Sequence, residues 1–171
     1  MNNEEKNCCF IGHRKIENAE SLKTKVYETA LDLILNHNVT TFLFGSRSEF
    51  DSLCRKVVAE LKEKHPHINR VYVRAEYPII NEHYEKYLLE DFEETYFPNR
   101  ALNSGKAVYT QRNYEMIYKS EICVVYFKKD YLPNERKHSK NDIYNYQPNS
   151  GTGIAYDYAV KKNRKIINVA E

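Results

Sequence analysis

Short, continuously apolar runs that alternate with stretches of helical periodicity constrain this chain more than any other feature. Residues 8–11 form the first such run, and Leu22, Val26, Ala30, Leu33 and Ile34 then recur at helical spacing, predicting a helix over about 17–37. Residues 40–44, β-branched and aromatic, give a second strand. Ser48-Glu49-Phe50-Asp51 has the form of a capping box, with an acid three residues after the serine. Phe50, Leu53, Cys54, Val57, Val58 and Leu61 then stripe the following helix, which ends near His65-Pro66. A third strand covers 70–73, an acidic and partly helical stretch covers 81–96, and a helix covers 109–119. The fourth strand lies within 121–127; a polar loop over 128–148 precedes a last helix (153–162) and a fifth strand (165–169). Strands alternating with helices predict an α/β, Rossmann-like three-layer sandwich: a mainly parallel five-stranded sheet with helices on both faces. Right-handed crossovers give the order 3-2-1-4-5 and put the reversal, where ligands collect, at the carboxyl ends of strands one and four.

The 171 residues are expected to form one such domain, large enough to bury a core without staples. Cys8, Cys9, Cys54 and Cys123 show neither metal-ligand nor redox spacing and fall on apolar faces, so buried thiols in a reducing compartment are expected. No cofactor motif and no metal site is expected. No segment approaches the roughly 18 apolar residues of a membrane span, and the polar start lacks a signal-peptide pattern, so a cytoplasmic location is the expectation. A net charge of +2 leaves nucleic acid neither required nor excluded, although acid gathers over 76–94 and base over 128–140 and 161–165. Fifteen tyrosines and no tryptophan supply aromatic surface with polar tips, suited to packing or to stacking on bases.

The candidate site residues stand mainly where strands end and helices begin. After strand one, Gly12 permits a tight turn, and His13 and Arg14 would project at the carboxyl edge; a guanidinium there is a planar fork for phosphate or carboxylate. A surface turn with two solvated cations is the plain alternative. After strand two, Gly45, Ser46 and Arg47 run into a helix start suited to an anion, with Glu49 or Asp51 available for a ribose hydroxyl or as a base. Capping alone explains Ser48 and Asp51, whereas Glu49 carries no such duty, and the Asp51 carboxylate can still face the cleft. Gln111, Arg112 and Asn113 put three polar donors in one helical turn, which an ordinary solvated face also explains. The leanest turn is the last, with two of the five glycines in Pro148-Asn149-Ser150-Gly151-Thr152-Gly153. Backbone N–H groups approach a ligand closely there, and the helix behind favours negative charge, so phosphate is the natural guest. The same residue types also cap ordinary helices.

Taken in order, Gly12-His13-Arg14, Gly45-x-Arg47 with Asp51, Arg112-Asn113-x-x-Met116 and Ser150-Gly151-Thr152 resemble the YpsA/YoqJ-like branch of the SLOG superfamily, the DprA–LOG group of Rossmann-like nucleotide-binding domains. The resemblance covers residues 8–169. It implies a Rossmannoid fold and a site for a nucleotide or nucleotide-derived ligand, but no single reaction, because the group includes sensors, DNA-processing proteins and enzymes. LOG-type phosphoribohydrolases carry Gly-Gly-x-Gly-Thr-x-x-Glu. Matching Gly151-Thr152 to its Gly-Thr puts Ala155 at the glutamate; matching Gly153 instead puts Asp157 there but replaces the threonine by Ile154. Neither alignment gives an intact motif.

Three functions compete. The leading one is a binding module for a nucleotide or an NAD- or ADP-ribose-like molecule, with Arg14, Arg47 and the Ser150, Gly151, Thr152 and Gly153 turn on phosphate and Tyr156 or Tyr109 on the base. The second is an N-glycosidic-bond hydrolase acting on a nucleoside monophosphate, with Glu49, Asp51 or Asp157 as the carboxylate. The third, ranked last, is single-stranded nucleic-acid binding by the basic, tyrosine-bearing loop 128–146. Homo-oligomerisation is compatible with all three, and a membrane with none.

Overall fold

Six strands form one sheet flanked by five α-helices in the computed structural model, which describes residues 4–131 and 150–171. They are β1 (Lys6–Gly12), α1 (Ala19–Asn36), β2 (Val39–Phe44), α2 (Glu49–Lys64), β3 (Asn69–Val73), α3 (Glu82–Leu89) and β4 (Glu94–Tyr96). Two short 3-10 turns, Asn99–Ala101 and Gly105–Ala107, lead into α4 (Val108–Tyr118), β5 (Ile122–Tyr126), α5 (Gly151–Lys161) and β6 (Lys165–Asn168). The strands lie in the order β4-β3-β2-β1-β5-β6, and every neighbouring pair is parallel. This is a Rossmann-like three-layer sandwich.

The five expected strands are β1, β2, β3, β5 and β6, and they keep the expected relative order; the correction is a sixth strand, β4, on the β3 edge. Three residues are too few to display a strand period, so the pattern absorbs Glu94-Thr95-Tyr96 into the acidic stretch before it. A bidentate contact fixes the short strand: Arg70 donates from Nε and Nη2 to the two Glu93 carboxylate oxygens at 3.1 and 2.8 Å, and the Glu93 N–H donates to the Arg70 carbonyl.

Side chains alternate between two cores. Cys8, Phe10, Phe42, Phe44 and Val124 face α1 and α2, where Val26, Leu33, Phe50 and Leu61 complete the packing. Cys9, Ile11, Leu43, Val71 and Val125 face α4 and α5, meeting Met116, Ile117, Ala155 and Ala159. Burial on both faces is why the strands read as continuous apolar runs instead of alternating ones. All four cysteines are buried and free. Among the described residues, no helix is long and apolar enough to cross a membrane.

Helix α2 packs so closely on the end of β1 that a Cβ at Gly12 would lie 2.8 Å from Phe50 Cβ and closer still to the ring. The glycine is therefore required by packing, whatever else the turn does. Three helix starts are side-chain capped: Ser48 accepts from Asp51 N–H, Asn81 from Tyr84 N–H and Ser150 from Gly153 N–H.

Candidate functional site

A parallel sheet wound this way brings the loops after β1, β2, β3 and β5 to its carboxyl edge, where the strand order reverses between β1 and β5. The edge divides into two chemically different halves.

Over β2 and β3 the chain buries charge. Asp51 is 1% exposed, with Oδ2 2.7 Å from Arg55 Nε in a charge contact that lacks hydrogen-bond alignment. Burial pushes its carboxyl up to about 6, against the pull of the Arg55 and Arg112 guanidinium groups. The carboxylate is therefore enclosed and does not face the cleft, as the capping pattern allowed. Nor does it complete the capping box, because the Ser48 N–H donates instead to Ser46 Oγ at 3.0 Å. Arg112, 5% exposed, donates from Nη1 to the Gly45 carbonyl and from Nε to Asn113 Oδ1 at 2.9 Å. This approach explains Gly45: a Cβ there would lie 2.6 Å from Arg112 Cδ and 2.9 Å from Met116 Sδ.

Two further groups on this half, Arg74 and Glu76, carry no sequence motif. Arg74, 8% exposed, donates to Thr95 Oγ1 at 3.0 Å and to the Tyr77 carbonyl at 3.3 Å. Glu76 lies 3.4 Å from Arg47 Nη2 and accepts the Tyr109 hydroxyl at 2.7 Å. The carboxylate raises the pKa of both partners, as a negative neighbour must.

Over β1 and β5 the charged side chains are exposed, and the buried polar group is a histidine. His13 does not project into solvent as the strand-end position suggested; it is 1% exposed. Its ring stacks on Tyr131 at 3.9 Å and 8°, and Nε2 accepts the Lys128 N–H at 2.8 Å. Burial pushes its pKa down to about 4, so the imidazole is neutral near pH 7, and Nδ1, the remaining donor, is buried without a partner. Tyr126, Phe127 and Tyr131 enclose it, an aromatic cluster after β5 that could have signalled a buried histidine. Arg14 is exposed, and its carbonyl accepts the Glu49 N–H at 2.9 Å, tying the β1 and β2 loops together.

That tie changes the expectation for Glu49, which does carry a structural duty. Its Oε2 accepts the Ile16 N–H at 3.0 Å and its Oε1 pairs with Lys15 at 3.2 Å. The backbone N–H first, and Lys15 second, hold its carboxyl below the usual range. Asp157 is exposed midway along α5, whose buried side is formed by Ala155 and Ala159.

At the start of α5, Ser150 Oγ takes the Gly153 N–H at 3.0 Å and the Ser150 carbonyl takes the Ile154 N–H. Among the described residues, the N–H groups of Gly151 and Thr152 have no partner and nothing lies within 4 Å of a Cβ at Gly151. Thr152 and Gly153 are themselves buried. The basic loop 128–146, on which the nucleic-acid alternative rests, lies outside the described residues from position 132 on. A hollow of about 210 Å³ lies beside Phe44, Arg55 and Phe92, and one of about 460 Å³ between α4 and α5 beside Arg100, Tyr158 and Lys162.

The strand ends thus gather Gly12, His13, Arg14, Gly45, Ser46, Arg47, Arg112, Asn113 and the α5 turn on one sheet edge, while Asp157 stands on the outer side of its helix. No family model matches the chain, and no curated protein matches it.

Proposed function

We propose that this chain is a SLOG-type domain that binds a nucleotide or nucleotide-derived small molecule across the carboxyl edge of its sheet. The observation carrying the proposal is the start of α5: two backbone N–H groups without partners among the described residues, in a turn with no side-chain obstruction at Gly151, beside the point where the strand order reverses. A helix N-terminus at that point attracts anions, and the exposed Arg14 and Arg47 side chains stand on the neighbouring loops.

The acids singled out from the sequence lend hydrolysis no support. Cleavage of an N-glycosidic bond requires a carboxylate beside the sugar. Of the three acids singled out from the sequence, Glu49 is committed to Ile16 and Lys15, Asp51 is enclosed with Arg55, and Asp157 faces solvent from the middle of α5.

A thermal-shift panel of AMP, ADP, NAD and ADP-ribose tests the proposal. At least one nucleotide is expected to raise the melting temperature of the wild type. Gly151→Asp, which places a negative charge in open space at the turn, is expected to keep its own melting temperature and lose the shift. No shift with any nucleotide, or an undiminished shift in Gly151→Asp, contradicts the proposal.

A further inference from the structure

The hollow beside Phe44 and Phe92 opens between α2 and the turn that joins α3 to β4, on the face of the sheet opposite α4 and α5. Helix α2 seals its own side of the core with Phe50, Leu53, Val57 and Leu61, but at the hollow it presents Ala59, a single half-buried methyl. Phe44 and Phe92 close the bottom, their ring centroids 5.9 Å apart. At about 210 Å³ the space is smaller than the clefts that hold drug-sized ligands, and it suits a molecule of few heavy atoms.

The charged groups around it are of two kinds. Arg55 and Arg70 are committed. Arg55 contacts Asp51, donates to the Ser46 carbonyl at 3.0 Å and lies 5.2 and 5.3 Å from the Tyr72 and Phe92 rings. Arg70 is held by both oxygens of Glu93. Lys56 on α2 and Asp91 beyond α3 are not committed. Both side chains line the hollow and are exposed, and neither has a hydrogen bond or ion pair with any described residue. Opposite charges that share a hollow without pairing complement a ligand that carries both.

We infer that this hollow binds a small apolar α-amino acid. Its carboxylate meets the Lys56 ammonium beside the fixed Arg55 guanidinium, its ammonium meets Asp91, and its side chain lies against Ala59 and Phe92. A plain carboxylate would face Asp91 as a like charge, and a plain amine would face Lys56, Arg55 and Arg70; the dipolar ion suits both walls. None of these residues belongs to the turns assigned to phosphate, so the inference stands apart from the nucleotide reading.

Amide chemical-shift titration of the full chain with leucine, valine and methionine tests it, with 4-methylpentanoate and 3-methylbutylamine as leucine lacking its ammonium or its carboxylate. Saturable shifts are expected at Ala59 and Phe92 with at least one amino acid. Each leucine analogue is expected to bind about fivefold more weakly than leucine, the upper end for one exposed ion pair. Lys56→Gln and Asp91→Asn, both on exposed side chains, should each lose a similar factor with their melting temperatures unchanged, and Ala59→Leu, which fills the hollow, should abolish the shifts. The inference is overturned if none of the three amino acids gives a saturable shift there. It is equally overturned if either analogue binds as tightly as leucine, or if Lys56→Gln or Asp91→Asn binds as wild type does.

Discussion

The two halves of the carboxyl edge are made from similar materials and do opposite things with them. Over β2 and β3, Asp51, Arg55, Arg74 and Arg112 are buried or partly buried and committed to one another or to nearby carbonyl and hydroxyl oxygens. Over β1 and β5 the buried polar group is a neutral imidazole with one nitrogen unpartnered, and the Gly151 and Thr152 N–H groups at the helix start have no partner among the described residues. Glycine makes the contrast plain. Gly45 exists because Arg112 presses on it, whereas a Cβ at Gly151 meets no atom of the described residues within 4 Å. Charge that is enclosed beside opposite charge holds the fold together, whereas a helix start at an exposed edge can take an anion.

The largest expected effect breaks the charged half. Arg112→Met keeps the bulk but removes a charge facing Asp51, leaving a buried carboxylate with less compensation, and should cost about 3 kcal/mol in urea unfolding near neutral pH. The cost should shrink below pH 6, where Asp51 takes up a proton. An equal cost at both pH values would mean that Arg112 acts through packing alone.

The glycines come next. Gly45→Ala must displace Arg112 and Met116 and is expected to lose about 2 kcal/mol. Gly151→Ala, in the first turn of α5 and in open space, should be neutral or stabilising by up to about 0.5 kcal/mol. Equal losses in the two variants would erase the distinction between the halves.

Acid titration separates them in a third way, because the two buried groups respond with opposite signs. His13 titrates near 6.5 when unfolded and near 4 when folded, so the unfolded chain gains the extra proton first and stability falls between those values as pH drops. Asp51 titrates near 3.8 unfolded and about 6 folded, so the folded chain holds the extra proton and stability rises over nearly the same interval. Each contribution is on the order of 3 kcal/mol, and they oppose one another. Asp51→Asn should therefore lose stability more steeply than wild type from pH 6 to pH 4, as read by denaturant midpoints. Parallel profiles would place Asp51 in a far more solvated setting than the fold gives it.

The smallest effect on stability belongs to Arg14→Ala. The side chain is exposed, so the change should stay within about 0.5 kcal/mol while weakening nucleotide binding measurably. Loss of fold stability without loss of binding would reverse the roles assigned to the two halves.

Periodicity and capping made most of this architecture legible. The stripes of α1 and α2, the Ser48 cap and the apolar runs of β1 and β5 follow from residue type and spacing alone. What stayed hidden depends on tertiary neighbours. Strand β4 exists because β3 offers a pairing edge and Arg70 grips Glu93. His13 is neutral because aromatic side chains from beyond β5, more than a hundred residues away, close over it. Glu49 and Asp51 differ by two positions and carry the same charge, yet one caps the Ile16 backbone in solvent and the other is sealed with arginines. Helical spacing distinguishes the directions of such side chains but not what will cover them. Glu76 lay outside every glycine turn, and only the folded edge brings Arg47 and Tyr109 to it.

The central claim is that the open half of the edge is where a phosphate binds. Amide chemical-shift mapping by NMR during an ADP-ribose titration tests it most directly. Saturable shifts are predicted at Gly151 and Thr152, with smaller ones at Arg14 and Arg47. Shifts confined to the hollow between α4 and α5, or no saturable shift at the α5 turn, would contradict the account.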